Sequence, residues 1–202
     1  MSRYRGPRLR IIRRLGELPG LTQKISKKEN PPGQHGASNQ KLSQYNLQLR
    51  EKQKLRYNYG ITEQQLLRYV KNSRRSKGSS GKILLTFLEM RLDNTIFRLG
   101  FAPSIASARQ LISHGHITIN KKEVNIPSYQ CRVNDIIGIK DSKKSREIIE
   151  QNINLKKSIN IPDHVTLNKN SLEGKINSII NRASIGLIIN ELLVVEYYSR
   201  KV

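Results

Sequence analysis

The sequence predicts an α+β fold, in which helices are packed on a small, mostly antiparallel sheet behind an extended basic N-terminal region. Apolar residues recur at helical spacing from about residue 42 to residue 115, and period-two alternation takes over at His116. The first 41 residues are rich in basic side chains, and their arginine-dense start holds too few apolar residues to bury a face.

Taken in order, the elements follow from local pattern. From Lys41 to Gly60 a helix is expected with Leu42, Tyr45, Leu49, Leu55 and Tyr59 on one side, while Arg50, Lys52, Lys54 and Arg56 crowd the other. Thr62 and Gln65 have capping-box spacing before a helix that buries Leu66, Leu67, Tyr69 and Val70. Its last turn runs into Arg74, Arg75 and Lys77, cations that also suit a helix C-terminus. Gly78-Ser79-Ser80-Gly81 reads as a linker, and Ile83 to Leu88 as an apolar helix. A phosphate-loop reading of Gly78 to Lys82 fails, because the glycine spacing is wrong and no strand precedes it.

Leu92, Ile96 and Leu99 define one short helix stopped by Gly100, with Asp93 in its first turn. Ser104 is placed to cap a second, whose stripe is Ile105, Ala108, Leu111 and Ile112 and whose end is Gly115. His116 to Asn120 alternates as a strand, Lys121-Lys122 makes the bend, and Ile136, Ile137 and Ile139 supply a later strand. Beyond Asp141, a polar helix to Leu155 faces Ile148, Ile149 and Ile153 inward, and Val165, Leu167 and a Lys169-Asn170 turn return to the sheet. Asn190 suits the cap of a last helix, Glu191 to Ser199, although Val194, Val195, Tyr197 and Tyr198 suit a strand equally well.

Lys and Arg total 37 against 15 acidic residues, a net charge of +22, so a polyanionic partner is expected to relieve the self-repulsion. Residues 1 to 90 hold 20 of the basic and 5 of the acidic side chains, which makes the first half the stickier one. Six arginines, Arg3, Arg5, Arg8, Arg10, Arg13 and Arg14, come before residue 15 with too few apolar neighbours to bury a face. The expectation is a segment that threads between phosphates and adds nothing to the free fold; a merely solvated tail is the alternative. Lys27, Lys28 and His35 continue the pattern around a Pro-Pro-Gly turn, with phosphate or backbone contact expected of His35.

The basic helix positions Arg50, Lys52, Lys54 and Arg56 are assigned to the same surface. So are the side chains outside the two later stripes: Arg91, Arg98, Arg109, Gln110, His114, His116, Asn120, Lys121 and Lys122, all donors suited to phosphate and 2′-hydroxyl oxygens. Arg109 is expected to face solvent, so that its loss costs binding, and Leu111 to lie in the core. Catalysis is not expected, since acidic residues are few and scattered. His114 and His116 diverge at a helix end and lack a third ligand for a metal. The single Cys131 excludes an internal disulfide and a multi-cysteine zinc site, and no apolar run is long enough for a membrane span.

The segments RLDN, RLGFA, ARQLISHGHI and the Asn-Lys-Lys turn resemble, in order and spacing, the RNA-binding module named after ribosomal protein S-four. The flanks QLREKQKLRYNYGI and NELLVVEYYSR resemble the ribosomal family itself, so the likeness covers nearly the whole chain. It implies that the last segment is a helix packed on those before residue 90. The organisation is then an extended basic region 1–41, a discontinuous helical domain 42–89 completed by 184–202, and an inserted RNA-binding module 90–183 with its core motif at 90–141.

The resemblance further implies a structural, non-catalytic component of the small ribosomal subunit that binds small-subunit rRNA early in assembly of the 5′ domain. It would lie beside protein S-five, near the point where messenger RNA enters, and support translational accuracy. No cofactor and no small-molecule substrate are expected. Some bacterial members carry an N-terminal cysteine cluster that this chain lacks, so no structural zinc is expected either. The start, MSRYRGPRLRIIRRLG, resembles mature plastid members and lacks the serine-rich tract of a transit peptide, which points to the plastid (chloroplast) stroma as the place of synthesis and work. An RNA-modifying enzyme carrying the same module, or a non-ribosomal RNA chaperone, is the alternative.

Overall fold

A computed structural model describes residues 4–37, 41–155, 161–168 and 171–199. The chain divides into two compact units, Met1–Leu85 with Leu187–Val202, and Thr86–Gly186.

The first unit is helical. Its opening element corrects the expectation of an extended tail: α1 is a helix, Arg8–Leu15. Ile11 is its buried residue, and Leu18, just beyond its end, is 1% exposed. The backbone that follows is pinned when Gly20 N donates to Asn58 Oδ1 at 2.9 Å. Helix α2 is Gln44–Asn58, capped by Ser43 Oγ on the Asn46 amide at 3.3 Å.

The apolar side expected of α2 is displaced. Tyr45 is 55% exposed, and the buried face is Gln48, Lys52, Leu55 and Asn58. These polar residues go inside because partners await them. Gln48 Nε2 donates to Glu196 at 3.0 Å, and Lys52 Nζ reaches Glu63 at 2.9 Å while lying 5.1 Å above the Tyr197 ring. Helix α3 is Glu63–Arg75, with Thr62 accepting from the Gln65 amide; only Leu66, Val70 and Ser73 are buried, so Leu67 and Tyr69 fall outside the stripe. Helix α4, Ser80–Glu89, begins in this unit, where it carries buried Leu84 and Leu85. The last segment, read from the sequence as helix or strand, is a helix, Glu191–Ser199, with Asn190 Oδ1 accepting from the Leu192 amide at 3.1 Å.

The second unit packs helices on one sheet. Helices α5, Leu92–Leu99, and α6, Ile105–Ser113, end on Gly100 and Gly115, both in the left-handed region at φ 82° and 72°. Strands β1, Ile117–Ile119, β2, Lys122–Glu123, and β3, Ile136–Ile139, precede helix α7, Lys143–Leu155. Strands β4, Val165–Asn168, and β5, Glu173–Ile176, complete a sheet of order β2-β1-β3-β5-β4. Every pairing in it is antiparallel. The turn expected at Lys169-Asn170 lies outside the described residues.

Ile96, Leu99, Ala108, Ile112, Ile137, Ile149 and Ile176 meet in its core at 0% exposure. A Cβ on Gly174 would collide with the Leu99 side chain, so that strand position needs glycine for α5 to close onto the sheet. Arg91 offers no side-chain cap to α5. Instead the amides of Leu92 and Asp93 donate to Tyr129 O and Pro127 O at 2.9 and 3.1 Å, so the long β2–β3 connection supplies the cap.

Candidate nucleic-acid interface

In the first unit, α1, the turn from Pro31 to Gly36 and α2 enclose a cleft of about 1080 Å³. Arg10, Arg13, Arg14, Arg50 and His35 line it, and no carboxylate does. The far wall is built. Arg13 Nε donates to Asn30 O at 2.8 Å, Arg14 to Pro32 O at 3.3 Å, and the Gly36 amide to Gly33 O at 3.1 Å. A side chain at Gly36 would run into the Pro31 carbonyl. Arg8 likewise donates to Leu21 O at 3.2 Å. Three of the six N-terminal arginines therefore hold the chain that follows them, each with further N–H donors to offer. Arg3 lies outside the described residues.

The other assigned cations of this unit divide. Arg5, Arg10, Lys27, Lys28, Arg75 and Lys77 are exposed, as is His35, and Arg50 and Arg74 are half-buried. Lys54 pairs with Glu51 at 2.6 Å, and Arg56 lies 5.3 Å over the Tyr57 ring. Lys52 is not an interface cation; its side chain is 5% exposed and spent on Glu63. That carboxyl is held below the ordinary glutamate range: burial raises it, but hydrogen bonds from Tyr198 and Lys52 outweigh burial.

In the second unit the expected arginine surface turns inward. Arg91, 2% exposed, clasps Asp93 with Nε on Oδ1 at 3.0 Å and a terminal nitrogen on Oδ2 at 2.8 Å. Arg109 reaches the same Oδ2 at 2.8 Å, its side chain 18% exposed, instead of facing solvent. Arg98 pairs with Glu89, itself fully buried, at 2.7 Å. Burial of a carboxylate demands a cation, and these three are the nearest. Asp93 is thus a hub for two arginines as well as a residue of a helical first turn. Leu111 is buried as expected.

Asn120 is also structural: it sits at φ 50°, donates to Asp135 Oδ1 at 2.9 Å and accepts from the Ile136 amide at 3.0 Å. With Lys121 at φ 66° it forms the two-residue turn of the β1–β2 hairpin, one position earlier than the expected bend. His116 Nδ1 lies 2.9 Å from Ser145 Oγ, and its pKa is lowered by burial and by nearby His114, Lys144 and Lys140, so it is no standing cation at neutral pH. Gln110, His114, Lys121 and Lys122 remain exposed. Beside them are cations the pattern reading passed over, Arg132, Lys140, Lys143, Lys144 and Lys175. The run Lys140 to Lys144 was the available signal. Buried Cys131 has its thiol pushed up to about 12 by burial, which leaves it inert. Among the described residues no three His, Cys, Asp or Glu side chains gather as a metal site, and no helix is long and apolar enough to cross a membrane.

The internal pairs of the second unit spend three arginines on two carboxylates, Asp93 and Glu89, so all but one charge of the surplus of +22 is left over. The class so defined is that of basic proteins carrying an S4 domain: the model of that domain matches residues 90–137, and that of the ribosomal protein S4/S9 N-terminal domain matches residues 3–89. Over 202 residues, the whole of both chains, the sequence is 62% identical to small ribosomal subunit protein uS4c of Nephroselmis olivacea. It is 58% and 59% identical over 201 residues, again the full length of both, to small ribosomal subunit protein uS4 of Nostoc punctiforme and of Trichodesmium erythraeum. The chain belongs to the uS4 family of small ribosomal subunit proteins.

Proposed function

We propose that this chain is a structural, non-catalytic component of the small ribosomal subunit, held there by direct binding to small-subunit rRNA, and that it works in the plastid stroma. The observation that carries the reading is the surplus of exposed cations over exposed carboxylates. The buried carboxylates Glu89 and Asp93 are spent on internal arginines, while exposed cations cover both units. Capture is electrostatic, and shape recognition by the two units follows. The family likeness supports extending this to early assembly of the 5′ domain, a place beside protein S-five and incoming messenger RNA, and support of translational accuracy.

The test is binding of the purified protein to small-subunit rRNA and to an unrelated RNA of equal length across a salt series. Log affinity falls by about 0.7–0.9 for each phosphate neutralised per tenfold rise in salt. A steep slope together with a footprint confined to the small-subunit RNA is expected. A nearly flat response, or equal affinity for both RNAs, would overturn the reading. Co-sedimentation with finished small subunits in high salt separates a resident component from a departing assembly factor.

A further inference from the structure

We propose that the cleft between α1, the Pro31–Gly36 turn and α2 seats one or two unstacked nucleotides of single-stranded RNA. Phosphates lie against Arg10, Arg14 and Arg50, and a base lies on the apolar floor of Leu42, Leu49 and Tyr57. The inference rests on the RNA-binding reading above and adds to it the kind of RNA that this one site accepts.

Three features set the cleft apart from a merely basic surface. Its volume, about 1080 Å³, is at the upper end of clefts that enclose small organic ligands, roughly 300–1,000 Å³. Its rim is cationic without a compensating carboxylate, and among the described residues neither Arg10 nor Arg50 has a hydrogen-bond or ion-pair partner. Its floor is apolar, which a phosphate by itself has no use for. A duplex keeps its bases stacked inside and would offer the cleft only sugar and phosphate. A single strand offers an anion and an aromatic face together, the pairing for which a cationic rim over an apolar floor is complementary. Asn46 and Gln53, also in the lining, supply amide donors and acceptors. The wall is fixed in advance by the Arg13 and Arg14 tethers to Asn30 O and Pro32 O, so little ordering is needed on binding.

The experiment uses the full chain with two probes, a labelled uridine tetranucleotide and a blunt RNA duplex with the same number of phosphates. Asn46→Trp fills the cleft without altering charge, and Arg50→Gln removes charge without filling it. Asn46→Trp is expected to weaken tetranucleotide binding about tenfold while leaving the duplex within about twofold, since only the strand that enters the cleft loses its stacking surface. Arg50→Gln is expected to weaken the tetranucleotide several-fold as well. Should Asn46→Trp melt early, Gln53→Trp takes its place. An equal response of both probes, or none from either cleft-filling variant, overturns the proposal. Binding of whole small-subunit rRNA by the same variants keeps the two readings apart. If rRNA binds and the tetranucleotide ignores the cleft, this inference falls alone; if rRNA does not bind the wild-type chain, the RNA reading falls with it.

Discussion

The two units use the same side chain for opposite ends. Arg91, Arg98 and Arg109 are folded into the second unit, each on a buried carboxylate, whereas Arg10 and Arg50 stand at a cleft that has no acid in its lining. What decides is the supply of carboxylates. Where Glu89 and Asp93 must be buried, a guanidinium fork satisfies both oxygens and is consumed; where acids are lacking, it stays available to a solvent-borne anion. Arginine content alone therefore does not map an interface.

The contrast can be broken most sharply at Asp93. Asp93→Ala strands Arg91 without its carboxylate and should cost about 3–5 kcal/mol in urea unfolding. Arg109→Ala leaves Arg91 on Asp93 and should cost less, about 1.5–3 kcal/mol, the value of a hydrogen bond to a charged group. A loss under 0.5 kcal/mol for Arg109→Ala, with RNA affinity collapsing, would return it to the interface.

Leu18→Ala tests whether the N-terminal region belongs to the fold. A loss of about 2–5 kcal/mol is expected from transfer and cavity, a fall in melting temperature of about 2–4 °C per kcal/mol for a chain of this size. Arg10→Gln, in the same region, should leave melting unchanged. An unchanged melt for Leu18→Ala would restore the reading of a passive tail.

The smallest effect is with pH. His116 and His164 are both held below 6.5, chiefly by burial, so the unfolded chain binds protons that the folded one refuses. Stability is full above 6.5 and declines as pH falls below it; Glu63, lowered from 4.5, adds a second decline at more acid pH. The urea midpoint should follow that order, and His116→Gln should flatten the first step.

Much of the second unit was legible because its signals are local. Ser104, Gly100 and Gly115 mark helix ends, and the stripe Ile105, Ala108, Leu111, Ile112 is buried at the spacing that predicts it. The expected α+β class followed from the same marks. What sequence reading missed depends on partners distant in the chain. Gln48 and Lys52 look like surface residues until Glu196 and Glu63 are brought to them, and Arg109 looks like a free cation until Asp93, sixteen residues earlier, is placed beneath it. The cleft was half visible: His35 and the Pro-Pro-Gly turn stand out in the sequence, while Tyr57, Asn46 and Gln53 carry no local signal that marks them. Helix α1 was missed because its four apolar residues, Leu9, Ile11, Ile12 and Leu15, are outweighed by the arginines between them, and only Ile11 is buried.

Gln48 and Glu196, hydrogen-bonded between α2 and the last helix, are 148 positions apart. On the translating ribosome, where chain emerges at about 5–20 residues per second, α2 waits many seconds for the helix that satisfies its buried face. The second unit, contiguous from Thr86 to Gly186, meets no such delay. The order of folding therefore departs from the order of synthesis: the middle of the polypeptide reaches its final form first, and the beginning is finished by the end.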